Sequence, residues 1–83
     1  MTFKAEIDVM PLKELLDPQG KAVTASMGNL NLNEIKNVRI GKHISLVVEA
    51  GDESTARNKV EEACKKLLAN PVIEYFEYEL SQQ

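Results

Sequence analysis

The sequence predicts an α+β fold in the order strand, helix, strand, strand, helix, strand, and three observations predict it. Residues 3–10 alternate apolar and polar at the two-residue period of a half-buried strand. Residues 56–67 repeat apolar side chains at helical spacing. Between them, Asn37–Glu49 alternates on both sides of Gly41, as two strands folded about a glycine would. Right-handed crossovers and short links then favour the ferredoxin-like βαββαβ arrangement, a four-stranded antiparallel sheet with two helices on one face.

In the first strand, Phe3, Ala5, Ile7 and Val9 share one side, and Lys4, Glu6, Asp8 and Met10 the other. Pro11 has no N–H to give a ladder, so the strand is expected to stop there. Asp17-Pro18 reads as a helix start, a capping carboxylate followed by the residue best tolerated at the first helical position. Val23, Met27 and Leu30 then make a narrow apolar stripe, and Gly28-Asn29 marks its end before an Asn31–Asn33 loop. In the central stretch, a three-residue connection over Gly41–His43 pairs Ile40 with Ile44 and Val38 with Leu46 and keeps the apolar set on one face. Gly51-Asp52 closes the third strand and caps a second helix, whose buried stripe is Ala56, Val60, Ala63, Cys64 and Leu67. Asn70-Pro71 stops that helix. The last strand, Val72–Leu80, would turn Phe76, Tyr78 and Leu80 to the helices and Ile73 and Tyr75 to the opposite face. Residues 1–83 read as a single domain, with Ser81–Gln83 expected as a disordered tail.

A chain of 83 residues buries only about 60% of the surface it exposes when unfolded, so association is the natural expectation. The outer face of the sheet, carrying Met10, Val47, Ile73 and Tyr75 among charges, is too apolar for a bare surface and reads as a face for a second copy. A net charge of −3 and a pI near 5.1 argue against a nucleic-acid or anionic-membrane surface. The lone Cys64 cannot form an internal disulfide, no metal-spaced cysteine pair exists, and no signal peptide or membrane span is visible. A soluble cytoplasmic protein is expected.

The search for catalytic groups returns little. His43, beside Lys42, has no acidic or thiol partner near it in sequence and reads as a surface residue. Cys64 lies on an apolar stripe and reads as a small core residue. Glu61 and Glu62 are helix neighbours pointing apart, and Glu74, Glu77 and Glu79 fit a solvated strand. Arg39 and Lys42 flank the glycine turn and could hold a phosphate or a partner's carboxylates, but no Walker-type loop surrounds them. Neither a catalytic constellation nor a metal site is expected.

Three phrases carry a family resemblance: Leu16-Asp-Pro-Gln-Gly-Lys-Ala-Val23, Val38-Arg-Ile-Gly-Lys42 and Leu67-Leu-Ala-Asn-Pro-Val-Ile-Glu74. In this order and at this length they closely resemble the PurS family, small subunits of phosphoribosylformylglycinamidine synthase, over about Phe3 to Leu80. The phrase around Asp17 departs from the family pattern in having no glycine among Lys13–Leu16. The resemblance implies a subunit that is not catalytic by itself. The complex makes formylglycinamidine ribonucleotide from formylglycinamide ribonucleotide, glutamine and ATP in de novo purine synthesis. A glutaminase subunit, PurQ, releases ammonia, and a synthetase subunit, PurL, uses ATP and Mg to activate the amide oxygen. The small subunit binds no cofactor, forms dimers or higher oligomers, bridges the other two and helps retain ammonia. By the resemblance, Asp17, Pro18, Gln19, Gly20, Arg39, Gly41, Lys42, Asn70 and Pro71 are the candidate partner-contacting positions. Two other readings fit the fold. One is a small-molecule-sensing regulatory module, which would want a glycine-rich ligand loop. The other is an acylphosphatase-type enzyme, which would want an arginine that residues 11–20 do not have.

Overall fold

The computed structural model describes residues 1–83. Strand β1 spans Thr2–Pro11, helix α1 Pro18–Asn29, β2 Lys42–Glu49, α2 Glu53–Ala63 and β3 Glu74–Gln82. The sheet is antiparallel with the order β2-β1-β3, so the N-terminal strand lies in the middle. The two-residue period does what it predicts. Phe3, Ala5, Ile7 and Val9 are all buried, the last three in one cluster with Val60 of α2 and Cys64, and Ile44, Leu46, Val48, Phe76, Tyr78 and Leu80 pack against that cluster from the neighbouring strands.

Helix α2 starts where Asp52 accepts a hydrogen bond from the Thr55 amide, at 2.7 Å. Its inward stripe is Ala56, Val60 and Cys64, all buried. Beyond Ala63 the helix widens into a π-helical turn, Cys64–Leu68, in which the Ala69 amide reaches back to the Cys64 carbonyl at 2.9 Å. That turn delays the inward position by one residue. Leu67, expected in the core, is 82% exposed, and Leu68 packs against the core in its place.

The expected four-stranded sheet is not formed. Residues 38–40 are irregular, and only three strands exist. The amides that a fourth strand would commit to a ladder are taken by side chains. Val38 N–H donates to Thr24 Oγ1 and Ile40 N–H to Asp17 Oδ2, both at 3.0 Å. Nor do both helices cover one face. Only α2 packs across the sheet, and α1 stands off it with Gly20 its one buried residue. The molecule is accordingly drawn out, 52 × 26 × 14 Å, with a radius of gyration of 16.4 Å, against about 12 Å for a compact chain of this length. At the far end, β3 runs through Ser81 and Gln82, paired with Lys4 and Phe3, into the segment where a disordered tail is expected.

Candidate functional site

The turn that launches α1 is built around one carboxylate. Asp17 Oδ1 accepts from the Gly20 amide and Oδ2 from the Ile40 amide, each at 3.0 Å. These two amides, with Arg39 nearby, hold the Asp17 carboxyl below its usual range. Thr24 Oγ1 donates to the Gly20 carbonyl at 2.8 Å while accepting from Val38. Gly20 must be glycine here, because a β-carbon would collide with the Val38 carbonyl and the Asp17 carboxylate. The Arg39 guanidinium donates to the Pro11 carbonyl, tying this clasp to the end of β1. Between α1 and residues 37–39 lies an open cleft of about 520 Å³, lined in part by Lys13, Lys21, Asn37 and Arg39.

Gly41 crosses the end of β1 so closely that a β-carbon would meet Met10 Sδ and the Val9 carbonyl. Lys42 follows as the first residue of β2, opposite Val9. A second open cleft, about 390 Å³, is lined here by Met10, Gly41, Lys42 and Tyr75 with Asp8, His43 and Glu77. Asn70 and Pro71 form the turn into β3. Asn70 Oδ1 accepts from Val72, its carbonyl accepts from Ile73 and Glu74, and its amide donates to Glu74 Oε1.

The candidate positions therefore collect at one end of the sheet, where β1 finishes and β2 and β3 begin. Asp17, at the head of the Pro18-Gln19-Gly20 turn, bonds Ile40 beside Arg39, Gly41 and Lys42 adjoin Met10, and Asn70-Pro71 turns into β3, whose Glu74 pairs with Pro11. Arg39, for which the sequence suggests no local structural task, anchors the clasp to β1. Of the outer-face residues, Met10 pairs directly with Tyr75, and Ile73 accepts from Leu12 N–H at the same end. Val47 lies apart from them, opposite Lys4.

The outer face is more acidic than expected, and His43 is not a bare surface histidine. Its Nδ1 lies 2.6 Å from Asp8 and its Nε2 2.5 Å from Glu6. Asp8 first, then Glu6, pushes the imidazole pKa above its ordinary value. Glu6 is held down at about 2 by the Ser45 hydroxyl, then by His43 and Lys4. On the other side Glu6 faces Glu79 and Asp8 faces Glu77 across the β1–β3 ladder, a like-charge arrangement that His43 and Lys4 offset. Sequence reasoning misses this cluster, although the β1–β2 register that opposes Ile7 to Ile44 also opposes Asp8 to His43. No three His, Cys, Asp or Glu side chains converge as metal ligands. Cys64 is buried among apolar side chains, and that burial pushes its thiol pKa up.

Fold and surface together define a small α+β domain in which one helix and its loop stand away from the sheet, with the candidate contact positions gathered at their junction. Residues 4–82 match the family described as "PurS: Phosphoribosylformylglycinamidine (FGAM) synthase". The Bacillus subtilis subunit PurS is 40% identical over 80 residues, 96% of this chain and 94% of that one. Its crystal structure superposes with a TM-score of 0.87, covering 96% of this chain and 99% of that one. A chain in the structure of PurLQS from Thermotoga maritima, 34% identical, gives a TM-score of 0.89 with 98% and 99% covered. This chain belongs to the PurS family of FGAM synthase subunits. None of its helices is long and apolar enough to cross a membrane.

Proposed function

We propose that this chain is the small, non-catalytic subunit of a cytoplasmic FGAM synthase, bridging the glutaminase and synthetase subunits, PurQ and PurL, and supporting ammonia transfer between them. The complex converts FGAR, glutamine, ATP and water to FGAM, glutamate, ADP and phosphate. The chain binds no cofactor, and ATP and Mg act in the complex. It also associates with itself, through a face containing Met10, Ile73 and Tyr75, with Val47 further along the sheet. Asp17, Pro18, Gln19, Gly20, Arg39, Gly41, Lys42, Asn70 and Pro71 belong to the end of the sheet that meets other subunits.

The observation that carries this reading is the full-length likeness to a chain found in the Thermotoga PurLQS structure. It is supported by the amount of surface left open. The chain exposes 5924 Å², where a compact monomer of 9.3 kDa would expose about 5,000 Å². The test is reconstitution. With the two catalytic subunits, glutamine and ATP present, omitting this chain should abolish glutamine-dependent FGAM formation while leaving ammonia-dependent synthesis largely intact. Unchanged glutamine-dependent turnover without it overturns the reading.

A further inference from the structure

We infer that two copies of this chain exchange arms. The arm is the stretch Leu12–Gly41, which carries α1 away from its own sheet, and each copy lays its α1 on the inner face of the other's sheet, beside that copy's α2. This contact is separate from the outer sheet face and does not depend on the assembly role proposed above.

The inner face is left unfinished by the chain that makes it. Helix α2 is the only helix packed across the sheet, and it seals the middle strand, where Phe3, Ala5, Ile7 and Val9 are at most 2% exposed. Towards the edges the cover thins. Ile44, Leu46 and Val48 on β2 and Leu80 on β3 are apolar, point to the same face and stay only half-buried. An apolar sheet face is stable when a second layer covers it, and the strand and helix order of this chain reserves that layer for two helices, of which one is in place.

The arm carries the matching surface. Leu16 and Leu30 are 67% and 65% exposed, and Leu30 continues the helical stripe of the half-buried Val23 and Met27. A helix of 12 residues gains little stability without packing of that stripe. At 1.5 Å per residue α1 is about 18 Å long, enough to lie over the row from Ile44 to Val48, which spans about 13 Å. The area agrees. The chain exposes 5924 Å² against about 5,000 Å² for a compact monomer of its mass, and the excess of about 900 Å² is close to the ~800 Å² per partner of a stable dimer.

The arm cannot serve its own sheet, because the clasp sets its direction. The bonds from Ile40 to Asp17, from Val38 to Thr24 and from Arg39 to Pro11 hold α1 out beyond the end of β1, which is why the molecule is 52 Å long. Asn31 and Asn37, at φ 60° and 57°, supply left-handed turns on the way back from α1 to that clasp. A two-fold axis then closes the exchange, each arm covering the face that the other copy leaves open. The outer face of a second copy is the poorer host, since Glu6 and Asp8 there face Glu79 and Glu77 and the arm's leucines would meet charge. A catalytic subunit gripping the arm would leave the inner face bare, whereas a second copy accounts for both open surfaces.

Isotope-filtered NMR of the full chain, mixed from methyl-labelled and unlabelled copies, tests the exchange directly. NOEs between copies should join Val23 and Leu30 of α1 to Leu46 and Val48 of β2. Leu30→Asp changes a side chain that is exposed in the single chain, so the fold should stand while self-association, measured by sedimentation, weakens at least about tenfold. Val47→Asp, on the outer face, should leave the NOEs between α1 and β2 in place. NOEs between copies confined to Met10, Val47 and Tyr75, their complete absence, or unchanged self-association of Leu30→Asp overturns the inference. Reconstitution of glutamine-dependent FGAM formation decides the assembly role separately, so either can fail alone.

Discussion

Gly20→Ala tests whether the clasp at the start of α1 is a local structure that can open without the sheet. The new β-carbon would occupy the space of the Val38 carbonyl and the Asp17 carboxylate, so residues 38–40 must move away from the helix. Displacement threatens the side-chain acceptors of three amides, those of Gly20, Val38 and Ile40. At about 1 kcal/mol for each such hydrogen bond the loss is about 3 kcal/mol. Alanine returns up to about 1 kcal/mol through its better helix propensity, leaving a net cost of about 2 kcal/mol. Amide exchange measured residue by residue should therefore speed up about 30-fold at Val38 and Ile40. Ile7, Val9 and their partners on β2 and β3 should keep their protection, because no core side chain is touched. Equal acceleration in β1, or none at Val38 and Ile40, would refute the separation of arm from sheet.

Three further outcomes are expected. His43→Gln should flatten the pH dependence of stability above pH 6.5. A histidine whose folded pKa is raised stabilises fully below its unfolded value of 6.5 and loses that contribution as pH rises through the folded value, whereas Glu6 contributes above 4.5 and loses it as pH falls toward 2. Melts of both proteins across that range, with an NMR titration of the imidazole, check the sign. Val60→Ala should cost about 2 kcal/mol and lower the Tm by on the order of 10 °C, since Val60 is almost fully buried on the inward face of α2. Leu67→Ala should change stability by less than about 0.5 kcal/mol and Leu68→Ala by about 2 kcal/mol, read by urea denaturation. The reverse order would deny the π-turn.

The sequence makes the body of the fold legible because its signals are periodic and local. The alternation of Phe3 to Val9, the α2 stripe up to Cys64 and the inward set of β3 each follow from one repeat and one buried face. The Asp17 and Asp52 caps are equally local, each bonding an amide three residues on. What escapes depends on distant partners. The alternation of Val38 and Ile40 matches a strand, but Thr24 and Asp17, 14 and 23 residues away, take the amides that a ladder would need. A single residue of helical slippage, invisible to a repeat of 3.6, exchanges Leu67 for Leu68. Ser81 and Gln82 look like tail because they are polar, yet an edge strand needs only backbone partners, which Lys4 and Phe3 supply. At the candidate site, local chemistry marks Asp17 and Gly20. Arg39's bond to Pro11 and the Glu6–His43–Asp8 group depend on register and chain path.

The central position of β1 also sets the timing of folding. The strand made first lies between two neighbours made later, and β3, the last element, supplies half of its ladder. Phe3, Ile7 and Val9 are therefore fully flanked only once β3 has paired, so closure of the core depends on contacts between widely separated parts of the sequence. Until β3 pairs, one edge of this alternating apolar strand stays open beside β2, a template for unwanted pairing for as long as the sheet is incomplete.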